Sequence, residues 1–292
     1  MDPLVEIAVE PRSVPDRESL EAALQVLAAA DPSLVIRIDR ESGQTILSGG
    51  SEEQLDRPIA ALRRASGVNV GAPQVAYRET LTQTALIDHT YRRPQGPKGD
   101  FARLILRFEP LDPGAGYRFV STIAAGSTLN DYLPAIQGAL DSARENGLVA
   151  GFPVIDFSAI LVACTVHDVD SSMMALEHAA RAAFRELRTK GAPVLLEPIM
   201  WVEVLIPDDH MGDVIGDLNS RRGQIQGAET RGAAQLVTAM VPLAYMFGYR
   251  SQLEVITRGA GRYEMRYDHY ERMPRFSEPP DDTFPPAVGM RA

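Results

Sequence analysis

Four consecutive residues, His167-Asp168-Val169-Asp170, set an imidazole beside two carboxylates. Such a group could bind a divalent metal or pass a proton, which would make the chain a metal-dependent hydrolase. The same residues precede an amphipathic run beginning near Ser171, where Asp168 or Asp170 would cap a helix for on the order of 1 kcal/mol. Capping is the better reading, and it leaves His167 exposed on a turn. A second set, Asp208, Asp209, His210 and Asp213, falls in a first helical turn, where carboxylates favour the helix dipole. A solvated helix start again outweighs a metal site. The stretch Tyr91-Arg92-Arg93-Pro94-Gln95-Gly96-Pro97-Lys98-Gly99 is basic, and its prolines and glycines predict a loop rather than a helix or central strand. Its cations could neutralise phosphates, and its glycines would let backbone N–H groups come close. Taken alone, solvated loop charge explains it better. Arg221-Arg222 ends a predicted helix, where cations also favour the dipole.

The chain has no G-x-x-x-x-G-K-[ST] phosphate loop, G-x-S-x-G elbow, H-E-x-x-H or paired C-x-x-C. Cys164, the one cysteine, ends the apolar run Ile160-Leu161-Val162-Ala163 and reads as a small buried hydrophobe. It cannot form an internal disulfide, so a reducing, cytoplasmic compartment is expected. No apolar run approaches membrane-spanning length, and residues 1–10 lack signal-peptide character. Lys and Arg total 29 against 39 Asp and Glu, a net charge of −10. That sign opposes nonspecific coating of nucleic acid, so any RNA contact must rest on local patches.

The elements that would position these groups follow from periodicity. Val5, Ile7 and Val9 alternate as in a half-buried strand. Asp16 is placed to cap a helix bearing Leu20, Leu24 and Leu27, and Asp31-Pro32 stops it. Residues 35–38 and 45–47 flank a hairpin turn at Glu41-Ser42-Gly43-Gln44. Ser51 and Gln54 have capping-box spacing before a second helix, which Pro58 should kink. Gly67 ends it and strand 68–70 follows, giving β-α-β-β-α-β. Residues 194–270 repeat that order: strand 202–206, helix 211–222 stopped by Gly223, strands 224–226 and 236–241, helix 245–258 ended by Gly259, and strand 263–267. Between them lie strands 80–88 and 101–110, helix 132–146, strand 154–166 and a long helix, 171–190. After Met273 the chain is Pro-rich and acidic, as in an extended tail. An α+β chain is expected, with domains at 1–77, 78–193 and 194–273 and a tail at 274–292.

One ordered set of segments stands out: Val9-Glu10-Pro11, Asp31-Pro32-Ser33, residues 73–80, Ala150-Gly151-Phe152-Pro153-Val154, His167-Asp168-Val169-Asp170-Ser171-Ser172, residues 193–200, residues 212–218, Arg221-Arg222-Gly223, and Val241-Pro242-Leu243 before Met246-Phe247-Gly248-Tyr249. Together they resemble motifs of the bacterial translation elongation factor G family. Their order and spacing are similar to the family's third, fourth and fifth domains over residues 3–273. The resemblance implies two ferredoxin-like domains flanking one like the second domain of ribosomal protein S5, with a left-handed crossover. It implies a ribosome-binding module that is not itself an enzyme. The module would promote tRNA–mRNA translocation by inserting its middle domain near the decoding centre. GTP and Mg²⁺ are expected on a GTPase domain outside this chain, with no cofactor in the chain itself. The implied partners are 16S and 23S rRNA and the tRNA–mRNA at the decoding site. No membrane partner is implied, and a cytoplasmic monomer is expected.

Implied RNA contacts at the middle domain's tip are Arg92, Arg93, Gln95, Gly96, Lys98, His167, Asp168 and Asp170, with Arg221 and Arg222 facing rRNA from the last domain. His167 matches the diphthamide position of archaeal and eukaryotic elongation factor two and is expected to be unmodified. Some motifs depart from the family. Ser51-Glu52-Glu53-Gln54-Leu55 stands for Gly-Glu-Leu-His-Leu, and Gly96-Pro97-Lys98-Gly99-Asp100-Phe101 for Gly-Gly-Arg-Gly-Gln-Tyr. Ala125-Gly126-Ser127-Thr128-Leu129 stands for Gly-Gly-x-x-Pro, and the Pro-rich tail for a helical C-terminus. These departures point to a divergent paralogue and keep a ribosome-protection or ribosome-recycling role open.

Overall fold

A computed structural model describes residues 3–38, 44–93, 100–124, 128–166 and 172–274. The chain divides into two compact units, Met1–Ala76 with Glu197–Ala292, and Tyr77–Leu196. Strand β1 (Val5–Pro11) buries Val5, Ile7 and Val9, as the alternation predicts. Helix α1 (Val14–Ala30) is capped by Ser13, whose hydroxyl accepts the N–H of Asp16. This corrects the expected Asp16 cap. A cap must precede the turn whose N–H it accepts. Asp16 lies inside the first turn instead, and its carboxylate accepts the N–H of Gly67 at 3.2 Å.

Strands β2 (Val35–Ile38) and β3 (Thr45–Gly49) pair antiparallel. Ser51 caps α2 (Glu52–Ala65) through the N–H of Gln54, while Gln54 Oε1 accepts the N–H of Gly50 at 2.8 Å. The capping box is therefore present with its return bond moved by one residue. Helix α2 continues through Pro58, which is buried beside Leu55, Ile59 and Leu62. With β4 (Val68–Val70) the sheet order is β2-β3-β1-β4, antiparallel throughout, with α1 and α2 packed against it. A short strand, β5 (Gln74–Val75), also pairs with β1.

The unit Tyr77–Leu196 opens with β6 (Arg78–Thr80) and the hairpin of β7 (Ala85–Arg93) and β8 (Asp100–Pro110). Then come β9 (Tyr117–Ser121), α3 (Leu133–Glu145), β10 (Val154–Ile155), β11 (Phe157–Thr165), α4 (Met173–Arg185) and α5 (Leu187–Lys190). The sheet order is β7-β8-β11-β9, with β11 antiparallel to β8 and parallel to β9. Helix α4 packs on β7, β8 and α3, and the core joins the rings of Phe108, Phe157 and Phe184. The single strand expected over 154–166 is broken at Asp156, which adopts φ 56°. Its carboxylate accepts the N–H groups of Gly114 and Gly116 at 3.1 and 2.8 Å. Short polar side chains tolerate this left-handed backbone better than others. The long helix expected to 190 divides at Glu186 into α4 and α5.

Glu79 is the deepest charge in this unit, fully buried in β6. Its Oε2 accepts the N–H groups of Leu148 and Val149 at 2.6 and 2.9 Å. Oε1 accepts those of Ala150, Gly151 and Phe152 at 2.8, 3.1 and 3.2 Å. A buried carboxylate is tolerable only with such partners. The loop closes around it because Gly147 takes φ 68°; a Cβ there would stand 2.6 Å from the Phe152 backbone.

Strand β12 (Val194–Pro207) pairs with β6 through Val194–Leu196, and from Ile199 with β14. After it come α6 (Met211–Ser220), β13 (Gln224–Arg231), β14 (Ala234–Pro242), α7 (Tyr249–Ile256) and β15 (Arg262–Arg272). The order β13-β14-β12-β15 repeats the pattern of the first lobe. The helix expected from 245 starts at Tyr249, because Gly248 takes φ 67° and residues 243–245 form a 3₁₀ turn. Within their common unit the two lobes touch. Tyr263 Oη donates to Glu53, the N–H of Gly248 to Glu52, and Tyr270 Oη to the carbonyl of Ala76. The architecture is α+β, and no helix among the described residues is long and apolar enough to cross a membrane.

Candidate RNA-contact surface

Arg92 and Arg93 are the last two residues of β7, not part of the loop where their sequence neighbours suggested. Arg92 pairs with Phe101 and Arg93 with Asp100 across the hairpin, so the ladder holds to its end. The turn-forming residues begin only at Pro94, which is why the strand outlasts the expectation. The Arg92 guanidinium sits 5.3 Å over the Phe101 ring, a cation–π contact that leaves the side chain exposed. Gln95, Gly96 and Lys98 lie outside the described residues, as do His167, Asp168 and Asp170.

The residues flanking both of those segments are described, and they meet. Strand β11 ends at Thr165, opposite Arg103 of β8. Helix α4 begins at a Ser172 cap, whose hydroxyl accepts the N–H of Ala175 and donates to Asp100 Oδ1, each at 3.1 Å. The cap expected at Asp168 or Asp170 is therefore Ser172, three residues before the N–H it satisfies. One hydrogen bond thus ties the start of β8 to the start of α4, bringing together the exits of segments 94–99 and 167–171. Nearby, Arg103 forks onto Asp88 through bonds of 2.8 and 2.6 Å, which hold that carboxyl below its ordinary value.

Arg221 and Arg222 are differently placed. Arg221 bonds Asp217 at 2.8 Å and the Tyr245 carbonyl at 2.6 Å, and lies over Tyr249. Arg222, at φ 61°, grips Glu197 through bonds of 2.7 and 3.2 Å and lies over Tyr245. It is Arg222, not Gly223, that adopts the left-handed stop after α6; the N–H of Gly223 returns to the Leu218 carbonyl at 2.8 Å. Both guanidinium groups thus brace the fold. Glu79 and Glu197, the acids that do most to organise their surroundings, were not singled out from sequence. A carboxylate set in an apolar strand was a signal for Glu197, whereas Glu79 stands between Arg78 and Thr80 and carried none.

Asp208 to His210 form a 3₁₀ turn before α6, and Asp208 accepts a bond from Gln235. Among the described residues no group of three or more His, Cys, Asp or Glu could hold a metal. Cys164 packs against the core, and burial pushes its thiol up to about 11. Since the thiolate is the reactive form, iodoacetamide at mildly alkaline pH should label Cys164 at least roughly tenfold more slowly in the native chain than in denaturant. Equal rates, followed by mass spectrometry, would contradict that burial.

Two α+β lobes of one topology, with a hairpin-bearing unit inserted between them in sequence, define a multidomain α+β chain. Family models match in the same order: "Elongation Factor G, domain III" over residues 1–73, "Elongation factor G, domain IV" over 73–192 and "Elongation factor G C-terminus" over 194–278. The chain is 54% identical over 275 residues to elongation factor G of Hyphomonas neptunium, covering 94% of this chain and 39% of that protein. A crystal structure from Thermus thermophilus matches with a TM-score of 0.74 at 37% identity, over 94% of this chain and 41% of that one. The chain belongs to the elongation factor G family, and spans about two fifths of the length of these relatives.

Proposed function

We propose that this chain is the ribosome-binding part of an elongation factor that promotes tRNA–mRNA translocation, and that it acts by shape rather than by chemistry. GTP and Mg²⁺ would be held by a GTPase domain outside it. The observation that supports this reading is the Ser172–Asp100 bond, which ties together described residues that flank the two proposed tip segments. A β-sheet backed by α4 is stiff, so side chains at its end are held in register. Arg92 and Arg93 would meet phosphates there, together with Lys98, and Gln95, Gly96, His167, Asp168 and Asp170 would complete the tip. Arg221 and Arg222 would reach rRNA only with the N–H edges that Asp217 and Glu197 leave open.

Binding of the chain to ribosomes should be salt-sensitive. Changing Arg92, Arg93 and Lys98 together to Ala should weaken it by roughly tenfold or more and flatten the salt dependence by about 0.7–0.9 for each phosphate no longer neutralised. Pelleting with ribosomes across a salt series reads both quantities. Salt-independent binding, or none, would remove the proposal.

A further inference from the structure

The sheet of the Tyr77–Leu196 unit packs one face on its helices and turns the other to solvent. On β8, Ala102, Leu104, Leu106 and Phe108 are buried, so two-residue alternation puts Phe101, Arg103, Ile105, Arg107 and Glu109 on the outer face. Pairing adds Arg92 beside Phe101, Thr90 and Thr165 beside Arg103, and Leu86 and Ile160 beside Arg107. Val120 lies opposite Ile160 and Arg118 opposite Ser158. The face is open along β7 and β8, where Leu86 is 61% exposed and the Arg103 and Arg107 side chains 45% and 46%, whereas Ser158 beside the exposed Arg118 is buried.

Four arginines therefore cross this face obliquely, from Arg92 at the tip end through Arg103 and Arg107 to Arg118 at the opposite corner. Between them stand aliphatic side chains and the hydroxyls of Thr90 and Thr165. Asp88 and Glu109 are the acids of the face, paired with Arg103 and Arg107, so the four arginines outnumber the acids two to one. Among the described residues Arg118 makes no ion pair. A cationic track of this kind on a chain of net charge −10 is a local inversion of sign. Planar guanidinium forks suit phosphate oxygens, and an aliphatic floor accepts ribose and base edges without selecting sequence.

We infer that the outer face of this sheet is an RNA-backbone binding surface, with Arg103, Arg107 and Arg118 contacting phosphates of one strand beyond the reach of the tip. It rests on the ribosome-binding reading for its setting, but its test is separate. Fluorescence anisotropy of a short fluorescein-labelled single-stranded RNA of mixed sequence, titrated with the whole chain over a salt series, measures it directly. The double substitution Arg107→Ala with Arg118→Ala, which leaves the tip intact, should lower affinity by roughly tenfold. It should also flatten the slope of log K against log salt by about 1.4, or 0.7 for each phosphate left without its arginine.

An unchanged circular dichroism spectrum and melting curve establish that the variant is folded, since an exposed pair such as Arg107–Glu109 contributes little. If the double variant fails to fold, Arg118→Ala alone carries the test at half the slope change. Unaltered RNA affinity overturns the inference. So does loss of ribosome binding with RNA affinity intact, which would assign the face to a protein partner. RNA binding that is lost in the variant, from a wild-type chain that ignores ribosomes, upholds the face and overturns the ribosome reading alone.

Discussion

Glu79→Ala should remove about 3–5 kcal/mol from the stability of the Tyr77–Leu196 unit. The substitution leaves five backbone N–H groups, at residues 148–152, without their acceptor in a buried pocket. Charge-assisted hydrogen bonds each contribute about 1.5–3 kcal/mol, and a stranded buried donor adds its desolvation penalty. The bonds share one acceptor and cannot simply be summed, which sets the lower figure. Glu79→Gln tests the cause. It preserves shape but turns one oxygen into an amide that faces N–H donors, so it should recover only a small part of the loss. Native-state hydrogen exchange at residues 148–152 is the measurement. Trp201, in the other unit, offers a fluorescence reference that should not move at low denaturant. Full stability in the Gln variant would refute the role of charge.

Arg222→Ala should destabilise the Met1–Ala76 and Glu197–Ala292 unit by about 3 kcal/mol at neutral pH, because it strands the carboxylate of Glu197 at 2% exposure. The deficit should depend on pH. Burial raises the Glu197 carboxyl above its ordinary value of 4.5, and Arg222 opposes that rise. A raised carboxyl contributes stability that is present below the unfolded value and is lost as pH climbs through the folded one. Removing Arg222 lifts the folded value further. The variant should therefore fall furthest behind wild type at neutral pH and draw closer to it as pH falls toward 4.5. Urea unfolding followed by Trp201 emission at the two pH values decides the matter. A deficit of the same size at both would exclude Glu197 as its source.

Much of this fold was legible because its signals are local. Alternation marked β1, and the Ser51–Gln54 spacing marked the start of α2. Where the reading failed, the deciding partner was distant in sequence or chemically similar. Ser13 and Asp16 are both competent caps, and the contact of Asp16 with Gly67, 51 residues away, decides between them. The break at Asp156 answers to Gly114 and Gly116, 42 and 40 residues earlier. The prolines and glycines after Arg92 and Arg93 predict a loop there, whereas the ladder with Phe101 and Asp100 extends the strand. For the candidate site, the residue types were readable directly, but their convergence was implied only by the family resemblance. No periodicity relates Asp100 to Ser172.

Segment 94–99 leaves and rejoins the sheet through directly paired neighbours, Arg93 and Asp100. A segment with such closely spaced ends can lengthen or change composition without altering the span it must bridge. Doubling its length would add only about 0.6 kcal/mol of closure entropy. The hairpin is therefore a socket into which evolution, or an engineer, can exchange probes of different reach while the supporting scaffold stays unchanged.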